Sequence, residues 1–221
     1  MAIRTSGAAC VLGCLLAGCS GEKKQDKPVE PAKKLNKAPD RFHVKLNTTK
    51  GDVIIESTRE WAPRGADRFY ELVTNGFFDQ SRFFRVRPKF AVQFGISKDP
   101  KMNELWQQLQ IPDDPVTQSN KRGYVSFAMR GPSTRTTQVF INLRDNSSLD
   151  SKGFAPFGRI VEGLDNIERL YSAYGEVASL GGSGPDTAKL QMMGDEYAQR
   201  SFPRLDTINS AKVIDYKPTA Q

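Results

Sequence analysis

The chain has a single histidine, His43, and only three cysteines, Cys10, Cys14 and Cys19, all of them before residue 20. That scarcity removes whole classes of chemistry. A Cys/His zinc cluster cannot be assembled in the body of the protein, no thiol nucleophile is present there, and a Ser-His-Asp triad would have to use His43. His43 alternates away from Phe42 and Val44, which places it on the polar side of a strand and not at a centre of catalysis. No metal and no cofactor are expected. Long apolar runs are missing too: the stretch from Ala8 to Ala17 is too short to span a bilayer as a helix.

What is present suffices for one folded domain. The 221 residues are 38% hydrophobic and include 13 Phe, enough apolar mass to close a core. Lys and Arg outnumber Asp and Glu by 32 to 25. Residues 21–41 carry seven of the bases and four of the acids, so much of the excess sits in one segment. A nucleic-acid binder needs bases gathered on one face with stacking aromatics, and a lysine-rich tail explains the charge more simply; no nucleic acid is expected as a partner. That segment has almost nothing apolar beyond Val29, Ala32, Leu35 and Ala38, and Pro28, Pro31 and Pro39 favour extended backbone. It reads as a flexible linker over 19–41.

Residues 1–18 read as a signal peptide, with Arg4 ahead of the short apolar stretch. Its end, Leu16-Ala17-Gly18-Cys19, resembles the lipobox of bacterial lipoproteins. The resemblance implies that Cys19 is lipidated and becomes the first residue of the mature chain, which then has no internal disulfide. It also implies a membrane as partner and a place in the bacterial cell envelope. Ser20 after the cysteine favours the periplasmic face of the outer membrane.

From Phe42 onward the pattern predicts a hairpin (Phe42 to Leu46 and Asp52 to Ser57), a helix from Pro63 to Asn75-Gly76, and short strands at 82–86, 90–94, 124–129, 139–143 and 157–161. A second helix follows around Leu164 to Tyr171, and a last strand at 212–216. Many short strands and two helices predict a mainly β fold, a closed antiparallel barrel covered by the helices. Residues 176–207 form an extended insertion whose Gly181-Gly182-Ser183-Gly184-Pro185 run lacks the Lys-Ser/Thr of a phosphate-binding loop.

Three ordered blocks make the reading specific. Phe83 to Gly95 resembles the cyclophilin signature, in which an aromatic and an Arg precede Pro-x-Phe and a Gln before Gly. Ser126-Phe127-Ala128-Met129, Gly131-Pro132 and Gln138-Val139-Phe140-Ile141 resemble the family's second block, and Leu149-Asp150 with Phe157-Gly158 to Glu162-Gly163 the third. The resemblance implies a peptidyl-prolyl cis/trans isomerase domain over 42–221, built on an eight-stranded barrel capped by two helices. It assigns catalysis to Arg85 and an apolar slot for the proline ring to Phe90, Phe140 and Leu149. Gln93 and Gln138 would bind substrate backbone, and the main chain of Ala128 and Met129 would pair with it like a strand edge. The chain departs from the family at Ala91, where many members carry Met, at Ser148, where many carry Trp, and at Phe154, where a pocket His is usual. A smaller, more open wall follows, weakening cyclosporin-type inhibitors more than turnover. The expected partners are proline-containing polypeptides, with the protein a monomer; the alternative is a module that binds proline peptides, or acts like a chaperone, without catalysis.

Overall fold

The computed structural model describes Met1 and residues 37–217. The signal peptide, Cys19 and most of the linker lie outside them. The first described residues already belong to the fold. Ala38 is buried in the main core and its N–H donates to Asp67 (2.9 Å), so ordered packing begins four residues before the expected domain start at Phe42.

Nine strands form one antiparallel sheet: β1 (Arg41–Thr48), β2 (Gly51–Thr58), β3 (Ser81–Arg82), β4 (Arg85–Arg87), β5 (Ala91–Phe94), β6 (Tyr124–Phe127), β7 (Val139–Asn142), β8 (Pro156–Glu162) and β9 (Thr207–Ile214). Their order is β3-β9-β1-β2-β8-β6-β7-β5-β4. This corrects the closed eight-stranded barrel. The sheet curls, because only Phe83 and Phe84 separate its two edge strands in sequence, yet no ladder joins β3 to β4 among the described residues. The reason is packing. Phe83 sinks into the main core while Phe84 turns into a second apolar cluster, drawing the chain out of strand pairing and splitting the expected 82–86 strand. The final strand also runs earlier than expected, ending at Ile214.

Among the described residues, five α-helices replace the expected two: α1 (Pro63–Thr74), α2 (Pro100–Gln107), α3 (Leu164–Glu168), α4 (Thr187–Met193) and α5 (Asp195–Ser201). Helix α1 begins with Pro63, whose missing N–H costs nothing in a first turn, and lays Ala66, Phe69, Leu72 and Val73 on the sheet. Its first amides are capped from a distant loop: Asp114 accepts from Arg64 N–H (3.0 Å) and Gly65 N–H (2.9 Å). Inside the sheet, Phe69 packs on Phe157 and Phe78, and Phe94 stands edge-on to Phe78 and Phe83, all fully buried.

The insertion at 176–207 is structured. Val177, Leu190, Tyr197, Ala198 and Leu205 close over Phe84 and Ile96 to form the second core. Asn103 of α2 donates to the Gln191 carbonyl of α4 (3.2 Å), tying the insertion to the helix that follows β5.

Candidate active site

A cavity of about 540 Å³ opens between the β4-β5-β7 end of the sheet and the insertion. Residues from several parts of the chain line it, among them Gln107 at the end of α2. The strands supply Arg85, Ala91, Gln93 and Phe140; the segments beside them supply Phe90, Ala128, Met129, Gln138, Leu149 and Phe154; the insertion supplies Val177, Ser179, Leu180, Thr187 and Gln191. Every site residue singled out by sequence in the folded domain therefore meets at one place. Ser148 does not: it is exposed on a 3-10 turn (Ser147–Lys152) next to Leu149, outside the cavity lining. His43 is remote from the cavity, 3.4 Å from Glu56 across the β1-β2 ladder.

Strand pairing sets the geometry. Arg85 lies opposite Gln93 in the β4-β5 register, and Gln93 lies opposite Phe140 in β5-β7, so alternation brings all three to one face. Arg85 Nη1 donates to Gln93 Oε1 (3.3 Å), and Gln93 Nε2 donates to Gln138 Oε1 (2.9 Å). Partners for the half-buried Gln93 thus come from within the protein, giving a chain of polar groups along one side of the cavity. The guanidinium carbon stands 5.5 Å from the centre of the Phe90 ring. Beside this polar chain, Phe140 and Phe154 meet edge to face at 5.6 Å and form an apolar wall of the cavity.

The Ala128 N–H is already engaged within the protein. β6 ends at Phe127, and the Ala128 N–H already donates to the Gln138 carbonyl (2.9 Å). A peptide cannot use that donor unless the contact opens.

Beneath the apolar wall a buried polar network fixes the backbone. Asn146 donates to the Phe90 carbonyl (3.0 Å) and to Asn142 (2.8 Å). Asp150 accepts from Ser119 Oγ (2.6 Å) and from the Asn120 backbone and side chain (2.9 and 2.8 Å). Burial alone would raise the Asp150 pKa, but those hydrogen bonds prevail and hold the carboxyl below the usual range. The 3-10 turn carrying Leu149 is thereby pinned.

Sequence reasoning missed the opposite side. Glu176 accepts from Arg85 Nη2 (2.7 Å) and Arg87 Nη1 (2.6 Å), and its Oε1 lies 2.6 Å from Arg85 Nε as an ion contact off the hydrogen-bond axis. Burial works against this carboxylate, but Arg85, the Val177 N–H and the charge of Arg87 outweigh it and keep the group ionised below its ordinary pKa. The available signal was the Arg85-Val86-Arg87 pair itself, two cations on one strand face without a local acid.

The comparisons with known proteins agree with this geometry. Residues 43–188 match the family model described as cyclophilin type peptidyl-prolyl cis-trans isomerase/CLD. A peptidyl-prolyl cis-trans isomerase-like 1 of Gibberella zeae is 31% identical over 134 residues, covering 58% of this chain and 80% of that protein. A peptidyl-prolyl cis-trans isomerase of Acinetobacter baylyi is 31% identical over 133 residues, covering 58% of this chain and 70% of that one. In structure the chain is similar to a cyclophilin type isomerase of Cryptosporidium parvum, with a TM-score of 0.58 and 18% identity over 80% of this chain and 99% of that one; the same protein was also crystallised in the presence of the dipeptide Ala-Pro. The chain belongs to the cyclophilin-type peptidyl-prolyl cis-trans isomerase family, and it is an isomerase.

Proposed function

We propose that the protein isomerises Xaa-Pro bonds in exported polypeptides and assists their folding, with Arg85 as the catalytic residue. We propose further that lipid on Cys19 anchors it to the periplasmic face of a bacterial outer membrane. The observation that carries the catalytic reading is one guanidinium, held by Glu176 through Nη2, facing a cavity floored by Phe90, Phe140, Leu149 and Phe154. The envelope reading is supported by the apolar stretch ending at Cys19 and the linker that follows it.

The reaction makes and breaks no covalent bond. Rotation about an Xaa-Pro amide is slow because the C–N bond loses resonance, a barrier of roughly 18–20 kcal/mol. In the twisted state the prolyl nitrogen becomes pyramidal and gains a lone pair. A fixed donor aimed at it binds the twisted amide better than the planar one, which is what lowers a barrier. Arg85 has the charge and planar donors for this. The apolar wall holds the pyrrolidine ring, while Gln93, Gln138 and the Met129 main chain face the substrate backbone. An acid, a base or a nucleophile is not needed.

Two experiments test the reading. Full-length protein should speed cis/trans exchange of an Ala-Pro peptide, measured by magnetisation exchange, without added metal or nucleotide. Peptide binding with no gain in exchange rate would instead make this a binding module. For the anchor, wild-type protein should fractionate with membranes and carry lipid mass on a peptide beginning at Cys19, and Cys19→Ser should release or mis-process it; soluble wild type without lipid would overturn it. A multiply acylated terminus is held firmly, since each buried CH₂ contributes about 0.8 kcal/mol.

A further inference from the structure

We propose that Glu176 is a positioning residue for Arg85, and that the glycine-rich loop after it exists to hold that carboxylate at the catalytic arginine. This rests on the assignment of catalysis to Arg85 and adds to it a specific partner from the insertion.

The argument begins with the guanidinium. Arginine side chains carry large rotamer freedom, and a donor that must meet a transient lone pair works only when its direction is set beforehand. Gln93 and the Phe90 ring contact one side of Arg85 but do not fix its plane. Glu176 does so by accepting from Nη2 through one oxygen while the other lies 2.6 Å from Nε as an ion contact, which leaves Nη1 directed toward Gln93 and the cavity. Arg87 contacts the same carboxylate from the outer side, so Glu176 is held between two cations on β4 and has no freedom to swing into the cavity. Both Arg85 and Glu176 side chains are largely buried, at 15% and 16% exposure, where such a pair is screened far less than on the surface.

The loop shows why glycine is required. After Glu176 the chain makes a 3-10 turn (Ala178–Leu180) and returns through Gly181 to Gly184, which sits beside Val177 in a parallel bridge. The Gly184 N–H donates to the Glu176 carbonyl (2.8 Å), and the Gly182 N–H to the Val177 carbonyl (3.1 Å). A Cβ on Gly182 would lie 2.0 Å from the Glu176 carbonyl oxygen, and one on Gly184 2.7 Å from it. Only a backbone without side chains can wrap this closely, so the run that resembles no phosphate-binding loop has a different use: it clamps the main chain of Glu176. Val177 and Leu190 then anchor the clamp in the second core.

Two variants approach Glu176 by independent routes. Glu176→Gln removes the charge and keeps the shape; Gly182→Ala keeps the charge and displaces the backbone. Each should lower kcat/KM on an Ala-Pro peptide by roughly ten- to a hundredfold, the scale for a misplaced reacting group, chiefly through kcat. Each should also move the ¹⁵N-edited signal of Arg85 Nε–H, assigned by its loss in Arg85→Ala, toward that of a solvated arginine. Circular dichroism and melting curves show whether the fold is kept. An unshifted Arg85 signal in Glu176→Gln overturns the proposal whatever the activity. Unchanged or increased kcat/KM overturns it as well, since Glu176 would then be idle or restraining. Failure of the wild type to catalyse exchange would remove the assignment of catalysis to Arg85 instead, and the two failures are thereby distinct.

Discussion

The two sides of the cavity are made differently. On one side, β4, β5 and β7 bring Arg85, Gln93 and Phe140 together by register, at one end of a sheet whose other face is packed with Phe83, Phe94 and Phe78. On the other, Glu176, Val177 and Leu180 are presented by a short loop held by glycine backbone and a small second core. The strand side supplies chemistry whose positions are dictated by the ladder. The loop side supplies orientation, and it rests on the sheet through Phe84, Ile96 and the Arg82–Asp195 pair. This division locates function where rigid elements meet a variable segment.

The largest effect expected from breaking the comparison is at Phe140. Its ring is 6% exposed and belongs both to the cavity and to the sheet. Phe140→Ala should cost about 3–5 kcal/mol of stability through the cavity left behind, and should raise KM. Thermal melting with and without peptide separates the two losses. A variant of native stability would show that Phe140 is a removable part of the wall and not part of the sheet's packing.

Acid should act on both sides. In Asp150, beneath the strand side, and in Glu176 and Asp195, within the insertion, burial opposes ionisation but hydrogen bonds and arginines prevail: Ser119 and Asn120 at Asp150, Arg82 and Gln199 at Asp195, Arg85 at Glu176. A carboxyl with a lowered folded pKa binds its proton more weakly folded than unfolded. Its contribution is complete above the unfolded value, near 4, and is lost as pH falls through the folded one. Glu71 works in the opposite sense, its pKa raised by burial against the pull of Arg68, so acid favours the fold there. Asp52 in the β1-β2 hairpin is lowered as well, by a hydrogen bond from Asn47 and by Lys45 against its slight burial, and four lowered groups against one raised predict a melting temperature that falls below about pH 4. Asp150→Asn should lower the neutral-pH melting temperature and flatten part of that fall; a parallel curve would mean Asp150 titrates alike in both states.

The smallest effect concerns the rim. Ser148 is exposed beside Leu149, so Ser148→Trp has room to add an aromatic face. Such a face with its N–H contributes about 1–3 kcal/mol to a bulky ligand that reaches it. Cyclosporin should therefore bind roughly ten- to a hundredfold tighter to the variant, with kcat/KM on a short peptide nearly unchanged. Nanomolar inhibition of the wild type would show that this part of the rim does not limit inhibitor binding.

What was legible in the sequence follows the same division. Arg85, Phe90 and Gln93 lie within nine residues, on two strands and the turn between them, so a local motif and the family resemblance singled them out. Phe154 lines the same cavity because the 3-10 turn before it is short. The pairing of Arg85 with Glu176 spans 91 positions, and no periodicity carries a contact of that range. The edges of the sheet were invisible for a related reason: alternation reports which face a residue takes, not which strands pair, and it read Phe83 and Phe84 as strand when each enters a different core. Helix α2 is another matter. Asp99 caps it and Pro100 begins it, with Met102, Leu105, Trp106 and Leu109 at helical spacing, so its signal was present and was passed over.

The central claim is that the strand side carries the chemistry, and Arg85→Ala tests it most directly. In exchange spectroscopy on an Ala-Pro peptide, with melting curves recorded alongside, the variant should keep its fold and lose roughly 10²–10³ in kcat/KM, the scale for one preorganised donor. A natively folded Arg85→Ala protein with wild-type exchange rates would contradict the account.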